Sequence, residues 1–484
     1  MGKKKEFEQG ITSQAEDFSQ WYIDTILKAE MADYSCVRGC MNIRPYGYAL
    51  WENIRDAFDR RFKETGHQNA YFPLFVPESL LRKEAEHVEG FAPEVPWVTH
   101  IGEEALTERL AIRPTSETVI CAAYAQWVHS YRDLPILINQ WANVVRWEKR
   151  TRLFLRTSEF LWQEGHTCHR NEQEAREETM LILDLYREAC ETELAMPVIP
   201  GRKSDAEKFA GAVETYSIEA MLLDGNALQA GTSHFLGQNF AKPFEIKFLD
   251  EDNTEKYVWQ TSWGVSTRLV GGIIMSHGDD SGLIMPPRVA PIQAVIVPVF
   301  KDETKTLVLE EAARIAAELK GAGVRVKLDD REEFRPGYKY NEWELRGVPL
   351  RIEIGPRDIE QGQVMAVRRL DREKTTIARG ELARRIPEML VKFQSDLLER
   401  ARKRTAESTR EASTLDELAE IVEKQRGFVW AGWDGTPETE AAVKDKTKAT
   451  IRNIPLEGGQ PTDGLKDLVS GAPAVHRVLF ARAY

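Results

Sequence analysis

Arg146 and Glu148 stand two residues apart in 136–148 (ILINQWANVVRWE), a strand-like segment. Side chains alternate faces along a strand, so the two share one face. Trp162, Glu164 and His166 do the same in the strand-like 158–166 (SEFLWQEGH). Between these segments lie four cations, Lys149, Arg150, Arg152 and Arg156. A hairpin with a cationic tip, and with arginine facing carboxylates across its strands, suits a ligand that carries both phosphates and an amine. A solvated hairpin with surface ion pairs would show the same residues.

Three further clusters carry polar chemistry. Arg113-Pro-Thr115-Ser-Glu117 has the form of a helix start, with a carboxylate in the first turn of a helix over about 116–130. Plain capping explains it equally well. Trp263-Gly-Val-Ser266-Thr-Arg268 delivers an arginine near another helix start, where a phosphate would be held by two parallel bonds, unless the arginine is structural. Gln229-Ala-Gly-Thr232-Ser-His234-Phe-Leu-Gly-Gln-Asn239 reads as a pocket lining on a short glycine-containing turn. Cys36-x-x-x-Cys40 and His166-Thr-Cys168-His169 lack a second pair at zinc-like spacing and are read as structural. His277-Gly-Asp-Asp280 fits a polar turn as well as a metal site.

The elements that position these groups fall into three zones. Residues 1–290 mix helices with short strands, and three prolines in 285–291 (MPPRVAP) mark a boundary. Residues 292–299, 324–328, 348–354 and 363–368 read as strands. A helix capped by Asp302 runs to about Lys320, and another spans about 380–410, so the zone predicts a small α/β domain with a largely parallel sheet. From about 411 a helical stretch precedes an irregular segment with glycine and proline. The expected division is 1–290, 291–400 and 401–484. The chain of 484 residues is 42% hydrophobic and 29% charged, which excludes disordered, collagen-like and disulfide-knotted classes. Five scattered cysteines, no signal-peptide core and no long apolar run predict a soluble cytoplasmic protein without a membrane span. The net charge of −12 speaks against a general polyanion binder, although a local basic surface remains compatible with it.

Taken together, the segments resemble class II aminoacyl-tRNA synthetases, and specifically the prolyl-tRNA synthetases. The Arg-x-Glu of the second class motif is Arg146-Trp147-Glu148, and the arginine of the third is Arg268. The first would lie around the helix after Arg44-Pro45-Tyr-Gly, the expected dimer-forming region. Arg113-Pro-Thr-Ser-Glu117, Trp162-Gln-Glu-Gly-His166, Gly231-Thr-Ser-His234 and Ser262-Trp-Gly264 are more specific to proline. The resemblance implies an antiparallel-sheet catalytic core, an α/β anticodon-binding domain and a small α+β C-terminal domain. It implies a proline pocket of Thr115, Glu117, Arg146, Trp162, Glu164, His166, His234 and Ser262, with Phe91 and Glu94 on a closing loop. Arg146, Glu148, Gln229, Thr232, Ser266 and Arg268 would serve ATP, with Arg146, Glu148 and Arg268 as the catalytic set. The implied substrates are L-proline, ATP with Mg²⁺, and tRNA(Pro), acted on by a homodimer.

The second and third motifs stand about 110 residues apart, too close for an inserted editing domain, as in the archaeal/eukaryotic-like form. That form often carries a four-cysteine zinc site in its C-terminal domain. No cysteine follows Cys190, and Asp434, Thr439, Asp467 and Ser470 occupy the corresponding positions, so no zinc is expected. Residues 331–410 hold 19 Lys+Arg against 14 Asp+Glu, a local +5. Arg335, Lys339, Arg346, Arg368 and Arg369 are candidates for anticodon contact or for solvated edges. A relative using threonine would need zinc ligands in the pocket. A non-catalytic paralogue that binds tRNA or regulates another enzyme would typically lack the arginines retained here.

Overall fold

The computed structural model describes residues 10–87, 94–456 and 462–484. Helix α1 (Pro45–Glu64) begins on a proline, whose fixed φ suits a first helical turn. It buries a stripe of Leu50, Trp51, Ile54, Phe58 and Phe62. There follow α2 (Glu117–Trp127), β1 (Ile136–Val145), β2 (Glu159–His169), α3 (Glu172–Thr192), β3 (Val198–Arg202), β4 (Glu214–Met221), β5 (Ala227–Gly237), β6 (Trp259–Ser266) and α4 (Arg268–His277). These six strands pair antiparallel in the order β3-β4-β5-β6-β2-β1. Helices α1, α3 and α4 cover one face around a core that includes Phe58, Phe62, Tyr186 and Trp263. The other face carries the polar clusters.

Two local expectations change. The strand expected over 136–148 ends at Val145, so Arg146 and Glu148 lie just beyond it. Arg146 N–H still donates to Ser158 O at 2.8 Å, and the chain then turns because Leu153, Phe154 and Leu155 are buried in the main core. The hairpin tip is therefore anchored by these apolar residues, while Lys149, Arg150 and Arg156 stay exposed to solvent. The cluster 229–239 is for the most part a central strand, β5, rather than a turn, and its alternation places Thr232 and His234 on one face.

The second unit contains β7 (Ala294–Pro298), α5 (Lys305–Gly321), β8 (Val326–Leu328), β9 (Leu350–Ile354), β10 (Gln363–Arg368), β11 (Lys374–Ala378) and α6 (Leu382–Glu407). Asp302 opens a short 3₁₀ turn ahead of α5 rather than capping it. The sheet order is β8-β7-β9-β10-β11. Only the β7 pairs are parallel, and β9-β10-β11 is an antiparallel meander, so the sheet is mixed rather than largely parallel. The connections are the reason: eight residues separate β9 from β10 and five separate β10 from β11, too short for the crossover a parallel pair needs.

In place of the irregular segment expected after 425, the described residues form strands and a helix. These are β13 (Phe428–Trp433), α8 (Pro437–Thr447), β14 (Ala449–Pro455) and β15 (His476–Arg482), preceded by β12 (Thr409–Glu411) and α7 (Leu415–Lys424). Pro437 is a helix start signal, at the first position of α8 behind the capping Thr436. Strand β14 pairs with β3 through Ile454–Arg202 and Pro455–Gly201, and with the short strand Gln68–Asn69 beside β1 the sheet reaches eleven strands. Gly201 is needed there, because a Cβ would come within 2.6 Å of Asn453 Cγ. Asp434, Thr439, Asp467 and Ser470 do come together. Asp434 accepts from Thr436 Oγ1 (2.8 Å), Thr439 Oγ1 (2.7 Å) and Ser470 Oγ (2.8 Å), and Asp467 accepts from the N–H of Val469 (2.8 Å) and Ser470 (2.7 Å) and from Asp434 N–H. Carboxylates already saturated by donors, with two hydroxyls, do not fit zinc.

Candidate active site

Strand register assembles the open sheet face in rows. One row runs Ile138, His166, Ser262, His234 and Thr215 across β1, β2, β6, β5 and β4. The next runs Gln140, Glu164, Gly264, Thr232 and Ser217. Trp162 stands opposite Ser266, and Gln229 opposite Glu219. Gly165 faces the other way, where the ring of Trp263 lies 2.1 Å from where a Cβ would sit. That close packing seats the strand segment bearing Glu164 and His166.

The closed end of the resulting cleft is acidic. Glu164 is buried and accepts from Ser116 N–H (3.0 Å), Ser116 Oγ (2.5 Å), Gln140 Nε2 (2.8 Å) and His166 Nε2 (3.2 Å). Ser116 thus spends its hydroxyl on Glu164 and makes no side-chain cap for α2. Thr115 Oγ1 donates to Glu117. Burial works to raise the Glu164 carboxyl, but the His166, Ser116 and Gln140 bonds outweigh it and leave it below its ordinary value. Burial opposes protonation of His166, yet the Glu164 bond and the Glu117 charge hold it above its ordinary value. His234 differs. Burial, His166 and Arg146 push it down to about 3, so it is neutral at pH 7, with Nδ1 2.9 Å from Thr215 Oγ1 and its ring on Phe209 at 4.8 Å.

The opposite end is cationic. Arg146 is exposed along the cleft, donates to Pro114 O at 2.9 Å and lies over the ring of Trp162 at 5.1 Å. The mass of protein around it lowers its pKa, opposed by Glu117 and Glu164. Arg268 begins α4 and donates to the carbonyls of Leu155 (3.2 Å) and Gln229 (3.5 Å). Burial and the charge of Arg146 lower its pKa too.

Of the residues singled out by sequence, Thr115, Glu117, Arg146, Trp162, Glu164, His166, Gln229, Thr232, His234, Ser262, Ser266 and Arg268 line one cleft of about 250 Å³. Glu148 does not line it and instead pairs with Arg156 at 2.8 Å. Glu94 is exposed outside it, and Phe91 lies outside the described residues. Phe160, Phe209, Glu207 and Thr215 line the cleft without having been singled out. Phe160 alternates with Trp162 on β2, a signal the sequence offered. Phe209 comes from the β3–β4 connection and Thr215 enters by register with β5, for which the sequence offered none.

Residues 99–277 match the model of the tRNA synthetase class II core domain (G, H, P, S and T), 293–389 that of the anticodon binding domain, and 415–484 that of the prolyl-tRNA synthetase C-terminal domain. The proline–tRNA ligase of Natranaerobius thermophilus is 56% identical over 99% of each chain. That of Symbiobacterium thermophilum is 57% identical over 100% of each. That of Chlorobium luteolum is 56% identical over 98% of this chain and 99% of the relative. Identity at this level along the whole length, with three family domains in succession, makes the chain a member of the prolyl-tRNA synthetase family of class II tRNA synthetases.

Proposed function

We propose that the chain is a proline–tRNA ligase working in two steps at this cleft. The observation that carries the reading is the cleft's polarity: buried carboxylates at one end and arginines at the other. The secondary ammonium of L-proline sits against Glu117, Glu164, Thr115 and His166, with its ring on Trp162 and Phe209 and neutral His234 and Ser262 behind it. The carboxylate of proline points to Arg146, which it shares with the α-phosphate of ATP. In the first step a proline carboxylate oxygen attacks the α-phosphorus in line and pyrophosphate leaves, giving prolyl-adenylate. In the second a hydroxyl of the terminal ribose of tRNA(Pro) attacks the prolyl carbonyl and AMP leaves. Arg146 and Arg268 offset the charge that gathers on phosphate oxygens, so positioning and electrostatics carry the catalysis.

Gln229, Thr232 and Ser266 contact the nucleotide and Arg268 its γ-phosphate, while Glu148, held by Arg156, stands on the loop beside it. Phe91 and Glu94 belong to the segment closing over proline. Mg²⁺ enters on the phosphates of ATP, as part of that substrate. Glu117, Glu164 and His166 are the group of described residues whose ligand atoms fall within 4.8 Å, but the Glu164 oxygens are already occupied by donors. That chemistry fits an organic ammonium better than a hard cation that keeps its waters. We divide the chain into catalytic (1–290), anticodon-binding (291–400) and C-terminal (401–484) domains, and place the enzyme in the cytoplasm as a homodimer.

ATP–pyrophosphate exchange across the twenty amino acids tests the reading. Exchange is expected to be strongest with proline; exchange strongest with another amino acid, or none at all, overturns it.

A further inference from the structure

Beneath the nucleotide end of the cleft, the mechanism leaves a buried charge cluster unused. Glu219, on β4, is fully buried. One of its oxygens accepts from Lys203 Nζ (2.9 Å) and Ser217 Oγ (3.0 Å), the other from Arg452 Nε (3.0 Å) and Nη2 (2.9 Å). Lys203 also donates to Arg452 O at 2.6 Å. Glu219 belongs to the catalytic sheet and Lys203 directly follows its strand β3, whereas Arg452 lies on β14, which belongs to the C-terminal part of the chain.

Its location gives this cluster more than a packing role. Glu219 sits at a β-bulge, where the β4–β5 register shifts between Ile218 and Glu219, and its register partner is Gln229. Bulges re-aim side chains, and register partners share a face, so the anchor on Glu219 sets where Gln229 stands. Gln229 lines the cleft and its carbonyl accepts from Arg268. The neighbouring strand β5, which carries Gln229, is itself tied to the C-terminal region by the N–H of Tyr484 donating to Ala227 O at 3.0 Å. Burial works to raise the Glu219 carboxyl, but the charges of Arg452 and Lys203 hold it ionised. A buried carboxylate deprived of one cation is costly, so loss of Arg452 is relieved by movement of the strand.

We propose that Arg452, acting through Glu219 and the β4–β5 bulge, is a positioning residue for the nucleotide subsite, so that the C-terminal domain takes part in amino-acid activation itself. The inference rests on the proposed ligase reading. The test is ATP–pyrophosphate exchange with proline in the absence of tRNA, using the full-length chain and its R452Q, R452K and R477Q variants. Arg477 pairs with Glu411 at the surface of the same region and serves as control. R452Q is expected to raise the KM for ATP about tenfold while that for proline stays within about twofold. R452K is expected to recover part of the loss, and R477Q to match the unaltered chain. Thermal unfolding of each variant separates repositioning from unfolding. An R452Q variant that stays folded with an unchanged KM for ATP overturns the proposal, as does a parallel rise in both KM values. E219Q supplies the same readout from the catalytic side should R452Q fail to fold. Absence of exchange by the unaltered chain would instead strike the ligase reading.

Discussion

Replacing Glu164 by glutamine keeps the size of the side chain and removes its charge. The two oxygens now accept from Ser116 Oγ and Gln140 Nε2 on one side and from Ser116 N–H and His166 Nε2 on the other, where Thr115 Oγ1 also stands at 3.5 Å. Whichever oxygen becomes the amide nitrogen, it meets two donors. The Ser116 hydroxyl can rotate away, but the Gln140 amide and the Ser116 N–H are fixed by their own frames, Gln140 because its oxygen accepts from Phe72 N–H. One buried donor left unpaired costs about 1–3 kcal/mol, and the lost attraction for the ammonium of proline adds about 1–2 kcal/mol. The unpaired donor is the same with and without proline and falls on stability, so the lost attraction alone, at about 1.4 kcal/mol per decade, should raise the KM for proline about 5- to 30-fold. Steady-state exchange at varied proline and at varied ATP reads this directly. The KM for ATP should stay within about twofold, because the cationic end is untouched. A KM for proline that barely moves, or one that rises in step with that for ATP, would refute the placement of the ammonium on Glu164.

Other outcomes follow from the same geometry. Protonated His166 places a second cation on Glu117 and Glu164, so the KM for proline should fall as pH rises through the raised pKa of His166, above its ordinary 6.5; a profile flat from pH 6 to 9 counts against it. Gly165→Ala would drive a methyl into the Trp263 ring, and either a marked drop in unfolding temperature or a displaced β2 with lost exchange is expected. In the C-terminal domain, chelators should leave the unfolding temperature unchanged. Burial works to raise Asp434 and the Thr439, Thr436 and Ser470 bonds outweigh it, so its pKa is lowered and its contribution is present above the ordinary carboxylate range. Stability should therefore fall as pH drops through that range toward the depressed value, and D434A should lose this acid sensitivity; tightly bound zinc by metal analysis would contradict the hydrogen-bonded account.

What the sequence made legible is what alternation and spacing determine within one strand. Trp162, Glu164 and His166 share a face because they are two apart, and Arg268 heads a helix because small residues precede it. Neighbourhood between strands is a property of register, which no local pattern carries. Thr215 meets His234, and Glu219 meets Gln229, only once β4 and β5 are aligned around a bulge. Glu148 illustrates the converse: two-residue spacing put it beside Arg146, but burial of Leu153, Phe154 and Leu155 ended the strand and turned it toward Arg156.

The same limit governs charge. Of the five cations first considered for the second unit, Lys339, Arg346, Arg368 and Arg369 face Asp329, Glu30, Asp396 and Asp279 respectively, and Arg335 alone has no carboxylate partner among the described residues. A count of +5 over 331–410 therefore overstates the cationic surface, because most of those cations are already answered. The net charge of −12 misleads in the opposite direction. Arg146 and Arg268 donate to backbone carbonyls and, among the described residues, to no carboxylate, and the charge of Arg146 lowers the pKa of Arg268. Glu117 and Glu164 offset part of the charge of Arg146 from a distance, and an anion that arrives from outside would supply the direct partner that both guanidinium groups lack among the described residues. On the proposed ligase reading, an acidic protein thus offers a site for the polyphosphate of ATP, marked by guanidinium groups without a direct carboxylate partner among the described residues rather than by any excess of lysine and arginine.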